Sequence, residues 1–161
     1  MIIQKKQLKK LLLYKAEFRH RETLKRIRMI RTMPHPGFPT DVQAQIMALT
    51  TVADGTSVIV ENIFESRYKH IGELLRFGAK IHVEGRMAVV EGVHRLNGAN
   101  VRATDLRGGS AMILAGLQAR GTTEITEIYH IDRGYENPEK TLSELGADIK
   151  RVNSNEKIGN A

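Results

Sequence analysis

Residues 34–41, PHPGFPTD, set the first limit on how this chain folds. Three prolines and a glycine within six residues cannot run as helix or as central strand. They make a stiff loop that ends at Thr40, where an apolar-periodic run begins. Thr40 with Gln43 three residues on has the form of a capping box, which predicts a helix start. Asp41 then falls in the first turn, where free backbone N–H groups gather. A rigid loop holding one carboxylate at a helix start suits a reactive or ligand-binding acid. It equally suits an acid that only complements the helix dipole.

The elements that follow come in two similar sets. Residues 40–53 predict a helix, with Val42, Ile46, Leu49 and Val52-Ala53 on one face, widened by Ala44, Met47 and Ala48. Residues 56–61 read as a strand with an apolar centre, buried on both faces. Residues 62–67 connect to a helix over 68–77, with Ile71, Leu74, Leu75 and Phe77 inward and Gly78 as its C-cap. Strands at 80–84 and 87–91 flank a Gly85-Arg86 hairpin turn. A strand over 100–103 opens the second set. A helix over 105–119, loose at Gly108-Gly109, a strand over 123–127 and a helix over 136–145 follow. Thr104-Asp105 echoes Thr40-Asp41 at an offset of 64, Gly121-Thr122 echoes Gly55-Thr56 at 66, and Gly146-Ala147 echoes Gly78-Ala79 at 68. Ordered matches with a slowly growing offset predict two copies of one α/β unit of about 65 residues. The units span about 32–97 and 98–152, and the second lacks its final hairpin strand. Residues 153–161 read as a polar tail.

A chain of 161 residues, 41% hydrophobic, has room for one domain with a real core. Its net charge of +7 is not spread evenly. Residues 1–33 hold 11 lysines and arginines against Glu17 and Glu22, a net of +9, so the remainder stands at −2. Residues 1–31 therefore read as a basic segment, helical or disordered, and the body carries no electrostatic footprint for nucleic acid. There are no cysteines, so disulfides, thiolate metal sites and a cysteine nucleophile are excluded within this chain. The six histidines show no HxH or HExxH spacing, and no metal or cofactor is expected. No apolar run is long enough to span a bilayer. No membrane partner is expected, and the cytoplasm is the default compartment.

Each unit offers an acid at a helix start and an arginine after the next strand: Asp41 with Arg67, and Asp105 with Arg107 and Arg133. Arginine's planar fork suits phosphate and carboxylate, and neighbouring carboxylates can move protons. The set predicts a site for a phosphorylated anion. The competing reading makes Arg67 and Arg133 surface residues that cap helix ends.

At PHPGFPTDVQAQ, NIFESRYKHIGELLRFGA, LNGANVRATDLRGG and IYHIDRGYE the sequence resembles the C-terminal part of the UDP-N-acetylglucosamine 1-carboxyvinyltransferases, a family of enolpyruvyl transferases. The resemblance runs from about Thr32 to about Val152. It implies an inside-out α/β barrel of repeated βαβαββ units and a site between two domains. It also implies transfer of the enolpyruvyl group of phosphoenolpyruvate to the 3-hydroxyl of UDP-N-acetylglucosamine, in the first committed step of peptidoglycan synthesis. Asp41 matches the acid that meets that hydroxyl, and Ile63 matches a contact to the UDP-sugar. Asp105 matches an acid of proton transfer, Arg107 and Arg133 match arginines at phosphoenolpyruvate, and Phe64 and Arg67 match the loop lining the cleft. The family's KNAA-like lysine motif, its mobile cysteine loop and its second domain have no counterpart here, and residues 1–31 do not resemble it. The expectation is a fragment of a truncated or frame-altered gene product, inactive alone, and dependent on a complementing fragment or on self-association. The alternatives are a non-catalytic UDP-sugar-binding or regulatory module and one subunit of a split enzyme.

Overall fold

The computed structural model describes residues 2–4 and 24–152. Among the described residues, eight strands form two four-stranded sheets. In the first, β2 (Ile30–Arg31) runs parallel to β3 (Thr56–Val60), which is antiparallel to β5 (Met87–Glu91), itself antiparallel to β4 (Lys80–Glu84). The second sheet repeats this order. There β6 (Asn100–Arg102) runs parallel to β7 (Thr122–Thr126), and β8 (Asp148–Lys150) takes the place of β4.

The place of the missing hairpin strand is filled from the other end of the chain. Strand β1 (Ile2–Gln4) inserts between β7 and β8, antiparallel to both, with Ile3 opposite Thr123 and Ile149. The second unit is thus complete in space although incomplete in sequence. Residues 2–4 and 30–31, expected in a helical or disordered segment, are extended strand, and Arg26 and Ile27 lie against Asp54 and Ser57 by hydrogen bonds. Pairing to existing strands gives their backbone groups partners within the fold in place of the water that a solvated arm would keep. The expectation for residues 5–23 and for the tail from 153 lies outside the described residues.

The two repeats are congruent in backbone detail. Gly55 and Gly121 have φ of 95° and 97°, and Gly78 and Gly146 have 85° and 94°. This is the left-handed region that a residue without Cβ enters freely. Gly78 and Gly146 close helices α2 (Ile71–Arg76) and α5 (Pro138–Glu144) with the same bonds. Ala79 N–H donates to Leu74 O, and Ala147 N–H to Leu142 O.

Between the sheets lie helices α1 (Gln43–Thr50) and α3 (Leu106–Gln118). Helix α1 packs on β3 and β5, α3 packs on β6, β7 and β1, and the two helices pack on each other. The arrangement puts helices inside and sheets outside, in two sheets that do not close into a barrel. The buried stripe of α1 is Ala44, Met47 and Ala48, while Ile46 and Leu49 are only half-buried and Val42 is exposed. Small residues win the interface because α3 answers with Gly108, Ala111, Met112, Ala115 and Gly116, which let the axes approach. Leu75 is 46% exposed, not inward, since α2 begins at Ile71 and turns Leu74 and Phe77 to the core instead. Strand β3 is buried on one face, through Ser57 and Ile59, because Val58 and Val60 face outward half-covered.

The capping box at Thr40 does not form. Residues Thr40–Val42 make a 3-10 turn, and the Thr40 hydroxyl donates to Glu61 Oε2 at 2.9 Å. In a capping box the hydroxyl oxygen would accept a backbone N–H, whereas here the hydroxyl is turned to donate to a buried carboxylate, a strong acceptor. A short helix α4 (Tyr129–Asp132), absent from the sequence reading, precedes α5.

Candidate active site

The proline loop folds as a closed turn. Gly37 N–H donates to Pro34 O at 2.8 Å and Met33 N–H to Phe38 O at 2.9 Å, and the His35–Pro36 peptide is cis. Its exit delivers Asp41 to the surface, where the side chain is 63% exposed. Two arginines meet it there. Arg107 Nε lies 2.6 Å from Asp41 Oδ1, with Nη2 on the same oxygen, and Arg67 Nη2 is 4.0 Å from it. Asp41 and Arg67 come from the first repeat and Arg107 from the second.

Asp105 is the N-cap of α3, one place ahead of the first-turn position that its echo of Asp41 predicts. Its Oδ1 accepts the backbone N–H groups of Arg107 at 2.9 Å and Gly108 at 2.8 Å. Arg107 therefore touches both acids, Asp105 through its backbone and Asp41 through its side chain. The loop after β3 supplies the facing wall. Arg67 lays its guanidinium 4.1 Å from the centroid of the Phe64 ring, a cation–π contact that fixes its plane. Its Nε is buried without a partner. A cleft of about 560 Å³ opens here, lined by Ile63, Phe64, Arg67, Lys69, Arg86 and Asp105 among others.

Six of the seven sequence-predicted residues thus converge: Asp41, Asp105, Ile63, Phe64, Arg67 and Arg107. Arg133 is not drawn into contact with them. It is exposed at the end of α4 and makes no ion pair among the described residues. Its loop nevertheless packs at the site, since Gly134 lies against the Leu106 side chain in the first turn of α3.

Two residues of the site escaped sequence reasoning. His70 is 1% exposed and lies near Arg67, Asp105 and Gly108. Burial pushes its imidazole down to about 4, although the Asp105 carboxylate and a hydrogen bond to the Arg67 backbone pull the other way. It is neutral at physiological pH, and its Nε2 has no partner. Glu61, the last residue of the TSVIVE run, is also 1% exposed and binds both loops of the site. A glutamate closing an apolar strand was the available signal. For His70 nothing in the spacing marked it off from a surface histidine.

The chemistry follows from the charges. Two guanidiniums present forked donors for a phosphate or carboxylate, and the exposed carboxylate between them can receive a proton once a ligand displaces its partners. Among the described residues no group of three or more His, Asp or Glu could hold a metal ion.

The chain is similar to known proteins in sequence and in fold. A family profile described as EPSP synthase (3-phosphoshikimate 1-carboxyvinyltransferase) matches residues 7–156. The UDP-N-acetylglucosamine 1-carboxyvinyltransferase of Geobacter metallireducens is 65% identical over 123 residues, 76% of this chain and 30% of that protein. The UDP-N-acetylglucosamine 1-carboxyvinyltransferase 1 of Clostridium acetobutylicum is 61% identical over 123 residues, 76% of this chain and 29% of that protein. Among solved structures, the enolpyruvyl transferase NikO from Streptomyces tendae superposes with a TM-score of 0.73 at 30% identity, covering 80% of this chain and 30% of that one. The EPSP synthase from Acinetobacter baumannii shares the fold, with a TM-score of 0.66 at 17% identity over 81% of this chain and 32% of that one. The chain spans about three tenths of the length of the relatives it matches.

Proposed function

This chain belongs to the EPSP synthase family of carboxyvinyltransferases, and from that premise we propose that it carries one wall of an active site for UDP-N-acetylglucosamine and phosphoenolpyruvate. The convergence of Asp41, Arg67, Arg107 and Asp105 from two repeats carries this reading. In it, Asp41 leaves Arg107 to accept the proton of the sugar 3-hydroxyl as its oxygen adds to C2 of the enolpyruvyl group. The methylene carbon of that group takes up a proton in the same addition. Asp105, rigid as an N-cap, serves proton transfer at the tetrahedral intermediate, and phosphate then leaves as the methyl group gives a proton back. Arg107 and Arg133 hold the phosphoenolpyruvate anion, and Ile63, Phe64 and Arg67 line the UDP-sugar side.

A reaction of this kind draws on groups held together across a closed cleft. The chain spans three tenths of its relatives and holds one wall, so on its own it binds but does not turn over. Complementation by a second chain would restore catalysis. The setting is the first committed step of peptidoglycan synthesis, hence cell wall formation and cell shape, in the cytoplasm, where both substrates are soluble. No helix among the described residues is long and apolar enough to cross a membrane.

The test is calorimetric titration of the purified chain with UDP-N-acetylglucosamine, with and without phosphoenolpyruvate, beside Asp41→Ala. Binding that the variant loses supports the site. Absence of binding in a folded sample overturns it.

A further inference from the structure

Glu61 carries a buried carboxylate that no cation meets among the described residues. None of the ion pairs among the described residues reaches it. Hydrogen-bond donors take its place. The Thr32 hydroxyl donates to Oε1 at 2.8 Å, with the backbone N–H groups of Ile63 at 2.9 Å and Phe64 at 3.1 Å. The Thr40 hydroxyl donates to Oε2 at 2.9 Å. Three donors gather on Oε1 and one reaches Oε2, the kind of hydrogen bonding that a buried carboxylate needs where no counter-ion meets it.

The donors come from the segments that build the site. Thr32, itself fully buried, stands at the entry of the proline loop and receives Asn62 N–H on its own oxygen at 2.8 Å. Thr40 stands at the exit, next to Asp41. Ile63 and Phe64 begin the arm that carries Arg67. One carboxylate thus ties both ends of the loop that delivers Asp41 to the arm that delivers Phe64 and Arg67. The repeat unit itself does not demand this. Glu127, which stands 66 residues on like Gly121 after Gly55, has a left-handed φ of 55° and faces Arg102 at 4.0 Å instead.

We propose that Glu61 is a positioning residue that fixes Asp41 relative to Phe64 and Arg67 and so sets the geometry of the UDP-sugar wall. The proposal rests on the reading of the site given above. Its test separates the two. In amide spectra of the full chain, Glu61→Gln keeps the size and one acceptor oxygen but turns a donor towards Thr40. The amides of Thr40 and Asp41 should shift together with those of Ile63 and Phe64, while Val101 and Leu114 in the second repeat stay. Thr40→Val, which removes only the bond to Oε2, should weaken UDP-N-acetylglucosamine about tenfold in the same titration, and Thr40→Ser should restore it. Unmoved Thr40 and Asp41 amides in Glu61→Gln, or wild-type affinity in Thr40→Val, overturns the proposal. If the wild-type chain binds no UDP-sugar, the functional reading fails, and the amide shifts still decide whether Glu61 couples the two loops.

Discussion

Arg107 sets its Nε 2.6 Å from Oδ1 of Asp41, 66 residues earlier in the chain, while its own backbone N–H is held by Asp105. The contact joins corresponding helix starts of the two repeats. In the free chain arginine meets the Asp41 charge, and on the proposed reading a ligand takes over these contacts by offering the arginine an anion and the carboxylate a hydroxyl.

Replacing Asp41 separates binding from stability. The pair is largely solvated, and such pairs contribute about 0–1 kcal/mol. Asp41→Ala should therefore leave the unfolding free energy within about 1 kcal/mol of wild type while abolishing the heat of UDP-sugar binding. Thermal melting and titration on the same sample check both halves. Arg107→Lys keeps the charge but loses the fork, and should weaken phosphoenolpyruvate more than UDP-sugar.

His70 gives the fold an acid-side sensitivity. Its folded value of about 4 lies below the ordinary 6.5. Between these limits the unfolded chain binds the extra proton, so stability rises with pH there. The contribution of the neutral, buried imidazole is complete above pH 6.5 and is lost as pH falls towards 4, by up to about 3 kcal/mol. Denaturant titrations from pH 7.5 to 4 should show this slope, and His70→Gln should flatten it. An unchanged slope in the variant would assign it to other groups.

A second clamp works at lower pH. Arg151 bonds Asp132 through Nη1 at 2.9 Å and Nη2 at 2.7 Å, and Glu139 through Nε at 3.0 Å, tying the chain after β8 to α4 and α5. Hydrogen bonds from Arg151 hold both carboxyls below their usual values. Lowered carboxylate values add stability above the unfolded values, lost as pH falls through the folded ones, below about pH 4. Because the network is half-exposed, Arg151→Ala should cost only about 1 kcal/mol. It should also return both carboxyls towards ordinary values in a carbon-detected titration.

Local punctuation made much of this fold legible. Gly55, Gly78, Gly121 and Gly146 each sit where backbone geometry admits little else, and their offsets exposed the repeat. Asp41, Asp105, Arg67 and Arg107 were legible because helix starts and the loop after β3 fall at one end of the assembly, although Arg133, the counterpart of Arg67, stays out of contact. What stayed hidden depends on contacts distant in sequence. Nothing local says that Ile2–Gln4 will pair with β7 and β8, or that Thr40 will prefer Glu61 to its own helix. The buried stripe of α1 was misjudged because hydrophobicity favours Ile46 and Leu49, whereas close helix approach favours Ala44 and Ala48. His70 took its character wholly from burial.

Strand β1 offers the sharpest test of the fold. Its three residues lie between two strands, so their N–H and C=O groups serve both neighbours. Proline at an interior position of such a strand removes a donor and crowds the ladder. Ile3→Pro should therefore cost about 3 kcal/mol or more. The loss should appear as faster amide exchange at Thr123 and Ile149, while Ile59 and Val90 in the first sheet keep their protection. If all four amides hold, the second sheet stands without β1, and β7 and β8 make their own arrangement. If all four loosen together, the two repeats unfold as one unit, as the shared core between α1 and α3 would also allow.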